Sequence, residues 1–406
     1  MRFIHASDLH LGRTLRERPL RDEQAAMLDA LSAAARDATV AALVIAGDIY
    51  DRGVPPPEAV ALLDGFLAGL RIDRPDLVII AIPGNHDSAA RLSFGARLFE
   101  GAGVHIRTDA ESCVLPVVVE RDGERAAFWP LPFLTPGCLP PDFGRQAPEG
   151  RAGAALGELD FGEAPPERLR SQEDLCATAV SAIVRRLEPG RSNILVAHLF
   201  ARGGAASESE RAFVGAAEQV DAGLFDAFDY AALGHLHRPQ AAGAKGRYSG
   251  APLAYSFDES GQERGFLVVD VEPLAPAKVQ FVPVVPIRAL RRIVGTWDEI
   301  MSAAARDQNP DDFIEAVIED PAPVLNPVER LRERLPNLLS VRQAAFESSG
   351  GDASAGPVRM ERADAAGVLD DFRAFHREVL GTEVEADALA LMTGLVEEAE
   401  RAARQA

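Results

Sequence analysis

Cysteine is scarce in this chain, with only Cys113, Cys138 and Cys176 among 406 residues. They are odd in number, far apart and in no Cys-x-x-Cys pair, which argues against a disulfide framework and against a thiolate zinc site. Long apolar runs are also missing, and none is long enough to cross a bilayer, so no membrane association is expected. The opening residues Arg2-Phe3-Ile4-His5-Ala6 read as a strand rather than as a basic segment followed by an apolar one. No secretory signal is therefore expected, and the expected address is cytoplasmic. Surplus positive charge is lacking as well. A formal net charge of −20 argues against capture of nucleic acid by the surface as a whole. A polyanionic substrate at one site stays open, because bound cations and nearby arginines set the local field. Arg13, Arg52, Arg91, Arg202 and Arg238 lie beside the motifs described below, although any single one is more simply a solvated surface residue.

Hydrophobic residues make up 47% of the chain and charged residues 26%, enough to bury a core larger than that of one typical domain. Residues 1–285 repeat one theme: a short apolar run, a polar or glycine-bearing turn, then an amphipathic stretch. The runs are Phe3–Ala6, Leu43–Ala46, Leu77–Ile82, Ile194–Ala197 and Tyr230–Leu233. Helices are expected at Asp22–Asp37, with Ala26, Leu28, Leu31 and Ala35 as a buried stripe, at Glu58–Leu70 after three prolines, and from a capping Ser171 towards Leu187. Val114–Val119 and Ala126–Trp129 around Asp122-Gly123 predict a hairpin. Thr135–Pro166 predicts a long Pro- and Gly-rich surface excursion. Further strands at Gly265–Val271 and Val279–Val285 complete an α/β sandwich.

Pro283-Val284-Val285-Pro286 marks a boundary. Beyond it, strands at Arg288–Val294, Phe313–Ile318 and Ser340–Phe346 alternate with helices at Asp298–Arg306 and Pro327–Leu335, a small β-α-β-α-β unit. Ser348–Gly356 is a loop, and Ala363–Arg404 reads as two helices separated by Gly381-Thr382. The expected modules are therefore 1–285, 286–360 and 361–406.

Four polar clusters each stop an apolar run: Ser7-Asp8-Leu9-His10, Gly47-Asp48-Ile49-Tyr50-Asp51, Gly84-Asn85-His86-Asp87 and Gly234-His235-Leu236-His237. In open α/β sheets the carboxyl ends of strands line a crevice, so clusters distant in sequence can meet there. Asp8 and His10, two apart in an extended strand end, would point the same way, and His235 and His237 share that spacing. Together with His198 the clusters offer Asp8, His10, Asp48, Asn85, His198, His235 and His237. This mixture of imidazole and oxygen donors without thiolate suits two borderline-hard divalent cations and phosphate-ester chemistry.

The order Asp-x-His, Gly-Asp-x-x-Asp, Gly-Asn-His-Asp, His, Gly-His-x-His resembles the calcineurin-like metallophosphoesterase superfamily. Ile4–Gly12, Ala46–Asp51, Ala232–Arg238, Gly250-Ala251-Pro252-Leu253 and Ser256-Phe257-Asp258-Glu259 resemble, within it, the SbcD nuclease family, and the likeness extends over essentially the whole chain. The resemblance implies a metallophosphoesterase β-sandwich flanked by helices, a small α/β capping domain and a C-terminal helical pair. It also implies that Asp8, His10, Asp48 and His237 hold one metal, and that Asp48, Asn85, His198 and His235 hold the other. A carboxylate such as Asp48 has two oxygens to share between ions. His86 is implied as the catalytic residue that is not a ligand, with orientation of Asn85 as its alternative role, and Asp51 as either catalytic support or an orienting group.

By the same resemblance the metals are two divalent ions, chiefly manganese, and the activity is 3′→5′ double-strand exonuclease and single-strand endonuclease action on DNA. The partner is an SbcC-type SMC-like ATPase docked on residues 361–406, and the nuclease is a homodimer. The chain agrees in having no Gly-x-x-x-x-Gly-Lys-Ser/Thr loop of its own. Two rivals remain: a phosphatase, nucleotidase or cyclic-nucleotide phosphodiesterase on the same core, and a non-enzymatic scaffold. Loss of a bridging carboxylate or of His86 would mark the scaffold, and both residues are present.

Overall fold

Strands that are apolar at every position, rather than at every second one, need cover on both faces. The computed structural model provides it, and describes residues 1–140, 143, 171–205 and 219–344, with 369, 372–373, 376–377, 384 and 386–405 further on. In chain order the strands of the two large sheets are β1 (Arg2–Ala6), β2 (Val40–Ala46), β3 (Val78–Ile82), β4 (Val104–Ile106), β5 (Val117–Arg121), β6 (Glu124–Leu131), β7 (Ser192–His198), β8 (Tyr230–Gly234), β9 (Gln240–Ala242), β10 (Gly246–Tyr248), β11 (Gly265–Asp270) and β12 (Lys278–Pro283). They form two six-stranded sheets, ordered β12-β11-β1-β2-β3-β4 and β9-β10-β8-β7-β6-β5. The centres of both sheets are parallel, β1-β2-β3 in one and β8-β7-β6 in the other, while β11, β12, β5 and β9 pair antiparallel with their neighbours.

The two sheets pack face to face through Phe3, Val44, Ile80, Phe128, Ile194, Val196 and Tyr230. Phe3 meets the Phe128 and Tyr230 rings edge-on, with centroids 5.2 and 5.7 Å apart. The outer face of the first sheet is covered by α1 (Arg21–Ala35) and α2 (Pro57–Asp73), and that of the second by α3 (Gln172–Val184). The order helix, sheet, sheet, helix is the metallophosphoesterase sandwich that the resemblance implies. Pro57 opens α2, and the Ser171 hydroxyl accepts from the Asp174 N–H at the start of α3. The stripe of α1 contains Gln24 and Met27 rather than Ala26. Gln24 is buried because its side chain bonds the main chain of the first polar cluster. The hairpin strand starts at Val117, since Ala110–Val114 closes into a 3₁₀ turn.

Beyond the main body, β13 (Leu290–Gly295), β14 (Phe313–Ile318) and β15 (Leu338–Gln343) form a parallel three-stranded sheet. It is covered by α4 (Trp297–Ala305) and α5 (Pro327–Arg332). The module has its own core of Ile300, Ala304, Ile314, Ala316, Ile318, Leu331, Leu335 and Leu338. Thr296 and Glu299 form the capping box that starts α4. The last strand begins two residues before the expected Ser340, and Ala345 and Phe346 lie outside the described residues. Met1–Ala344 forms one compact unit and Ala345–Ala406 a second. In the second, Ala386–Gln405 is helical. Most of the expected preceding helix, the Gly381-Thr382 break, the Ser348–Gly356 loop and most of Thr135–Pro166 fall outside the described residues. Among the described residues no helix is long and apolar enough to cross a membrane.

Candidate metal centre

Parallel register brings the strand ends to one edge. Ala6 of β1 lies beside Ile45, Ala46 of β2 beside Ile82 of β3, and Gly234 of β8 beside His198 of β7. The chain turns sharply at this edge. Asp8, His10, Asp48 and His235 all have positive φ, at 55°, 43°, 49° and 109°, a conformation that costs about 1–3 kcal/mol for a residue with a side chain. Hydrogen bonds between loops hold it, from Asp8 N to Gly47 O and from His10 N to Asp48 O, both 3.0 Å. Asp8 and His10 therefore do not lie on an extended strand end as the spacing suggests; left-handed turns aim them instead. His235 and His237 likewise separate, His235 facing Asn85 and His237 facing His10.

The edge is crowded. A Cβ on Gly47 (φ +90°) would lie 2.2 Å from His198 Nδ1, and one on Gly234 would lie 1.9 Å from Ala46 O. Only glycine lets these loops approach so closely.

Asp48 sits at the centre. Its Oδ2 lies 3.7 Å from His10 Nε2, 3.6 Å from His198 Nε2 and 4.0 Å from His86 Nε2, while its Oδ1 accepts the His86 N–H at 2.9 Å. On one side His10 Nε2 and His237 Nε2 are 3.0 Å apart. On the other, Asn85 Oδ1 lies 2.9 Å from His198 Nε2 and 3.0 Å from His235 Nδ1. The Asp8 carboxylate receives the His235 N–H at 3.1 Å and the Ser7 hydroxyl, which also contacts the Ser249 hydroxyl at 2.8 Å. Asp8 with His10 and His237, His10 with Asp48 and His86, and Asp8 with Asp48 and His198 each bring potential ligand atoms within 4.8 Å of one another. All seven candidate ligands and His86 thus meet in one place.

The donor chemistry fits cations. His198 Nδ1 donates to Ala46 O at 2.9 Å, so its Nε2 is a lone pair, and it faces the Asn85 carbonyl oxygen. His237 Nδ1 faces the Glu259 carboxylate at 3.2 Å, which makes its Nε2 a lone pair directed at His10. His10 Nδ1 is buried and, among the described residues, has no partner within hydrogen-bond distance, the Asp51 Oδ1 lying 3.7 Å away. A proton on His10 Nδ1 sets two lone pairs against each other, and a proton on Nε2 leaves a buried acceptor bare. Facing, buried acceptors are what a cation resolves.

Burial also keeps the imidazoles neutral, as ligands must be. It pushes His198 down to about 3, and His10 and His235 well below the usual histidine range, with neighbouring histidines adding to the effect. Burial raises Asp48 to about 6 against the opposing influence of His86. It raises Asp87 to about 7, assisted by the Asp48 charge.

The motifs contain supporting residues whose work spacing alone does not reveal. The Asp87 carboxylate accepts from Gly84 N, Ile49 N and Tyr50 N at 2.9–3.0 Å, tying the second loop to the third. His86 Nδ1 bonds the Asp51 main-chain carbonyl at 2.8 Å, and the Asp51 carboxylate pairs with Arg13 at 2.9 Å. Arg13 also stacks over Tyr255, so it belongs to the scaffold rather than to a free basic surface. Arg202 pairs with Glu173. Glu259, in sequence no more than the end of a motif, proves to be a buried partner of His237. Its one signal is a carboxylate at the end of the largely apolar stretch Leu253-Ala254-Tyr255-Ser256-Phe257-Asp258-Glu259.

A cluster of Asp, His and Asn at the carboxyl edge of a two-sheet sandwich flanked by helices defines the metallophosphoesterase class. Residues 1–239 match the family described as calcineurin-like phosphoesterase, and residues 286–379 match the family described as type 5 capsule protein repressor C-terminal domain (SbcD_C). The SbcD subunit of the SbcCD nuclease of Staphylococcus epidermidis is 30% identical over 376 residues, 92% of each chain. A solved structure of a hypothetical protein from Thermus thermophilus aligns over 70% of this chain and all of its own, with 13% identity and a TM-score of 0.35. The chain belongs to the calcineurin-like phosphoesterases and, among them, to the SbcD family, and is a hydrolase.

Proposed function

We propose that this chain is a metal-dependent DNA nuclease that works with an SbcC-type SMC-like ATPase in DNA-end processing. The observation that carries the metal dependence is the pair of facing acceptor contacts, buried between His10 and His237 and partly buried between His198 and Asn85, on either side of Asp48. In this reading Asp8, His10, Asp48 and His237 hold one divalent ion, and Asp48, Asn85, His198 and His235 hold the second, manganese being the expected metal. When bound, such a pair lowers the pKa of water and offsets charge growing on a phosphodiester.

The chain's own residues do the rest. The Asp51 carbonyl fixes the His86 ring by its Nδ1, and His86 Nε2 lies on the Asp48 side. From there His86 donates a proton to the departing sugar oxygen, and its main-chain N–H holds the Asp48 carboxylate in place. DNA rather than a small ester is supported by the likeness to the staphylococcal nuclease subunit over nine-tenths of both chains. In this reading the action is that of a double-strand 3′→5′ exonuclease and a single-strand endonuclease, as the family resemblance of the sequence implies. The same reading gives residues 286–360 a capping role, docks the ATPase on 361–406, and sets the protein in the cytoplasm. A homodimer is part of the reading, and Phe94, in the turn between Ala89–Leu92 and Ala96–Glu100, and Leu98, within the latter, are 88% and 82% exposed and offer it an apolar contact.

The test is cleavage of linear duplex DNA with manganese, compared with mononucleotides and small phosphoesters, with and without the ATPase. Preference for the small esters would overturn the nuclease reading. His86→Ala is expected to keep its metal and lose about 10²–10⁴-fold in cleavage rate. Wild-type cleavage by this variant would remove His86 from the chemistry.

A further inference from the structure

His237 reaches the centre from a loop, and its ring is held from behind. The buried Glu259 carboxylate meets His237 Nδ1 through Oε1 at 3.2 Å. Its Oε2 accepts the Tyr255 N–H at 2.8 Å and lies 3.5 Å from Arg264 Nη2. Arg264 in turn donates to the His237 main-chain carbonyl, which also accepts the Ala251 N–H at 3.0 Å. Both the ring and the backbone of His237 are thus fixed by one buried ion pair. Burial favours a neutral Glu259, but the hydrogen bond from His237, the Arg264 guanidinium and the Tyr255 N–H outweigh it and hold the carboxylate well below its usual range.

This ion pair belongs to a segment that the small module grips. Asp258, next in sequence, pairs with Arg292 of β13 at 3.3 Å, and Arg292 also bonds Glu315 of β14 at 2.6 Å. The same module reaches the His10 loop indirectly, through α1. Gln24 bonds His10 O at 2.7 Å and Gly12 N at 3.0 Å, and its neighbour Glu23 pairs with Arg288, just before β13. His198, by contrast, is fixed by Ala46 O, inside the sandwich.

We propose that Glu259 is the positioning residue for His237, and that through the Phe257–Glu259 turn the small α/β module supports the half of the centre built from Asp8, His10 and His237 but not the half built from Asn85, His198 and His235. A carboxylate accepting from Nδ1–H fixes the tautomer and aim of a ligand imidazole, and its loss costs about 10–100-fold in metal affinity. The inference rests on the metal-centre reading above.

The experiment is manganese titration of the full chain by calorimetry, with electron paramagnetic resonance to count bound ions, on wild type, Glu259→Ala, Glu259→Asp and Glu259→Gln. Thermal melting of each metal-free protein accompanies it. Two ions bound by wild type, with one class weakened about 10–100-fold in the Ala and Asp variants and less in the Gln variant, is the expected result. Aspartate keeps the charge but falls short of Nδ1, whereas the glutamine oxygen can still accept from it. If Glu259→Ala fails to fold, the Asp and Gln variants carry the same comparison. Equal binding by all variants, or equal weakening of both ions, would overturn the positioning role. No binding by wild type would instead overturn the metal-centre reading itself.

Discussion

His198 ends one strand and His235 follows the adjacent parallel one, whereas His10 and His237 sit in loops steadied by side chains from α1 and from the Tyr255–Arg264 segment. The first pair is held by main chain: Ala46 O fixes one ring, and the close packing at Gly47 and Gly234 leaves no slack. The second pair is held by Gln24, Glu259 and Arg264, whose neighbours Glu23 and Asp258 make ion pairs with the small module. A half built on a sheet edge is as rigid as the sheet. A half built on ion pairs and loops can be adjusted by whatever moves those loops. In the proposed two-ion reading, such a site would combine a fixed ion with a tunable one, and Asp48 would couple them.

Removing Asp48 should erase the comparison altogether. Its Oδ2 lies within 4 Å of imidazoles from both halves, so Asp48→Ala is expected to lose both ions and cleavage together. Retention of one tightly bound ion in this variant, counted by elemental analysis, would mean that Asp48 does not serve both halves. Gly47→Ala comes next and should sharpen the contrast. Its Cβ would meet His198 Nδ1 at 2.2 Å in a left-handed backbone, a strain and overpacking cost of about 1–3 kcal/mol. We expect a lower melting temperature and a selective weakening of the His198 half, the mirror image of the Glu259 variants. Weakening of the His10 half instead would reverse the assignment.

These contrasts show where the sequence is legible. The strands β1, β2, β3, β7 and β8 contain runs that are apolar at nearly every position, His5 of β1 being an exception, and the seven candidate ligands lie just beyond such runs, so parallel topology brings them to one edge. Other features depend on tertiary contacts that no period records. Gln24 occupies a stripe position that apolar patterning gives to alanine or leucine, because it satisfies His10 O and Gly12 N. Glu259 looks like one more charge in a turn until Arg264, five residues on, folds back against it. The turns at Asp8 and His10 escape a reading by spacing because the strain they carry is compensated by bonds to Gly47 and Asp48, residues about forty positions away.

Acidity should act on both halves at once. Burial raises Asp48 to about 6 from an ordinary value of 3.8, so the metal-free fold retains a proton that the unfolded chain releases. That group's contribution to stability is present below about pH 4 and is lost as pH rises through about 6. Burial lowers His198 from 6.5 to about 3, so its contribution runs the other way and is lost as pH falls below 6.5 towards 3. Cation binding requires the carboxylate. Apparent affinity for both ions should fall in parallel below about pH 6, towards roughly tenfold per pH unit, in titrations across the range. One ion holding its affinity through that range would separate the halves at the point where Asp48 joins them.

The smallest effect expected is that of Asp258→Ala. Arg292 and Asp258 are 3.3 Å apart with side chains 30% and 31% exposed, so solvent screens the pair, and such pairs are worth about 0.2–1 kcal/mol. Arg292 keeps its bond to the buried Glu315, so the module itself should melt unchanged. If the Phe257–Glu259 turn transmits the module's grip, this change should weaken manganese binding in the His10 and His237 half by no more than about fivefold, and leave the His198 half untouched. A loss as large as that of Glu259→Ala would mean that the module contact, and not the Arg264 ion pair, is what aims His237. Unaltered binding in both halves would confine the support of His237 to the main body, and the two halves would then differ in rigidity but not in their connection to the module.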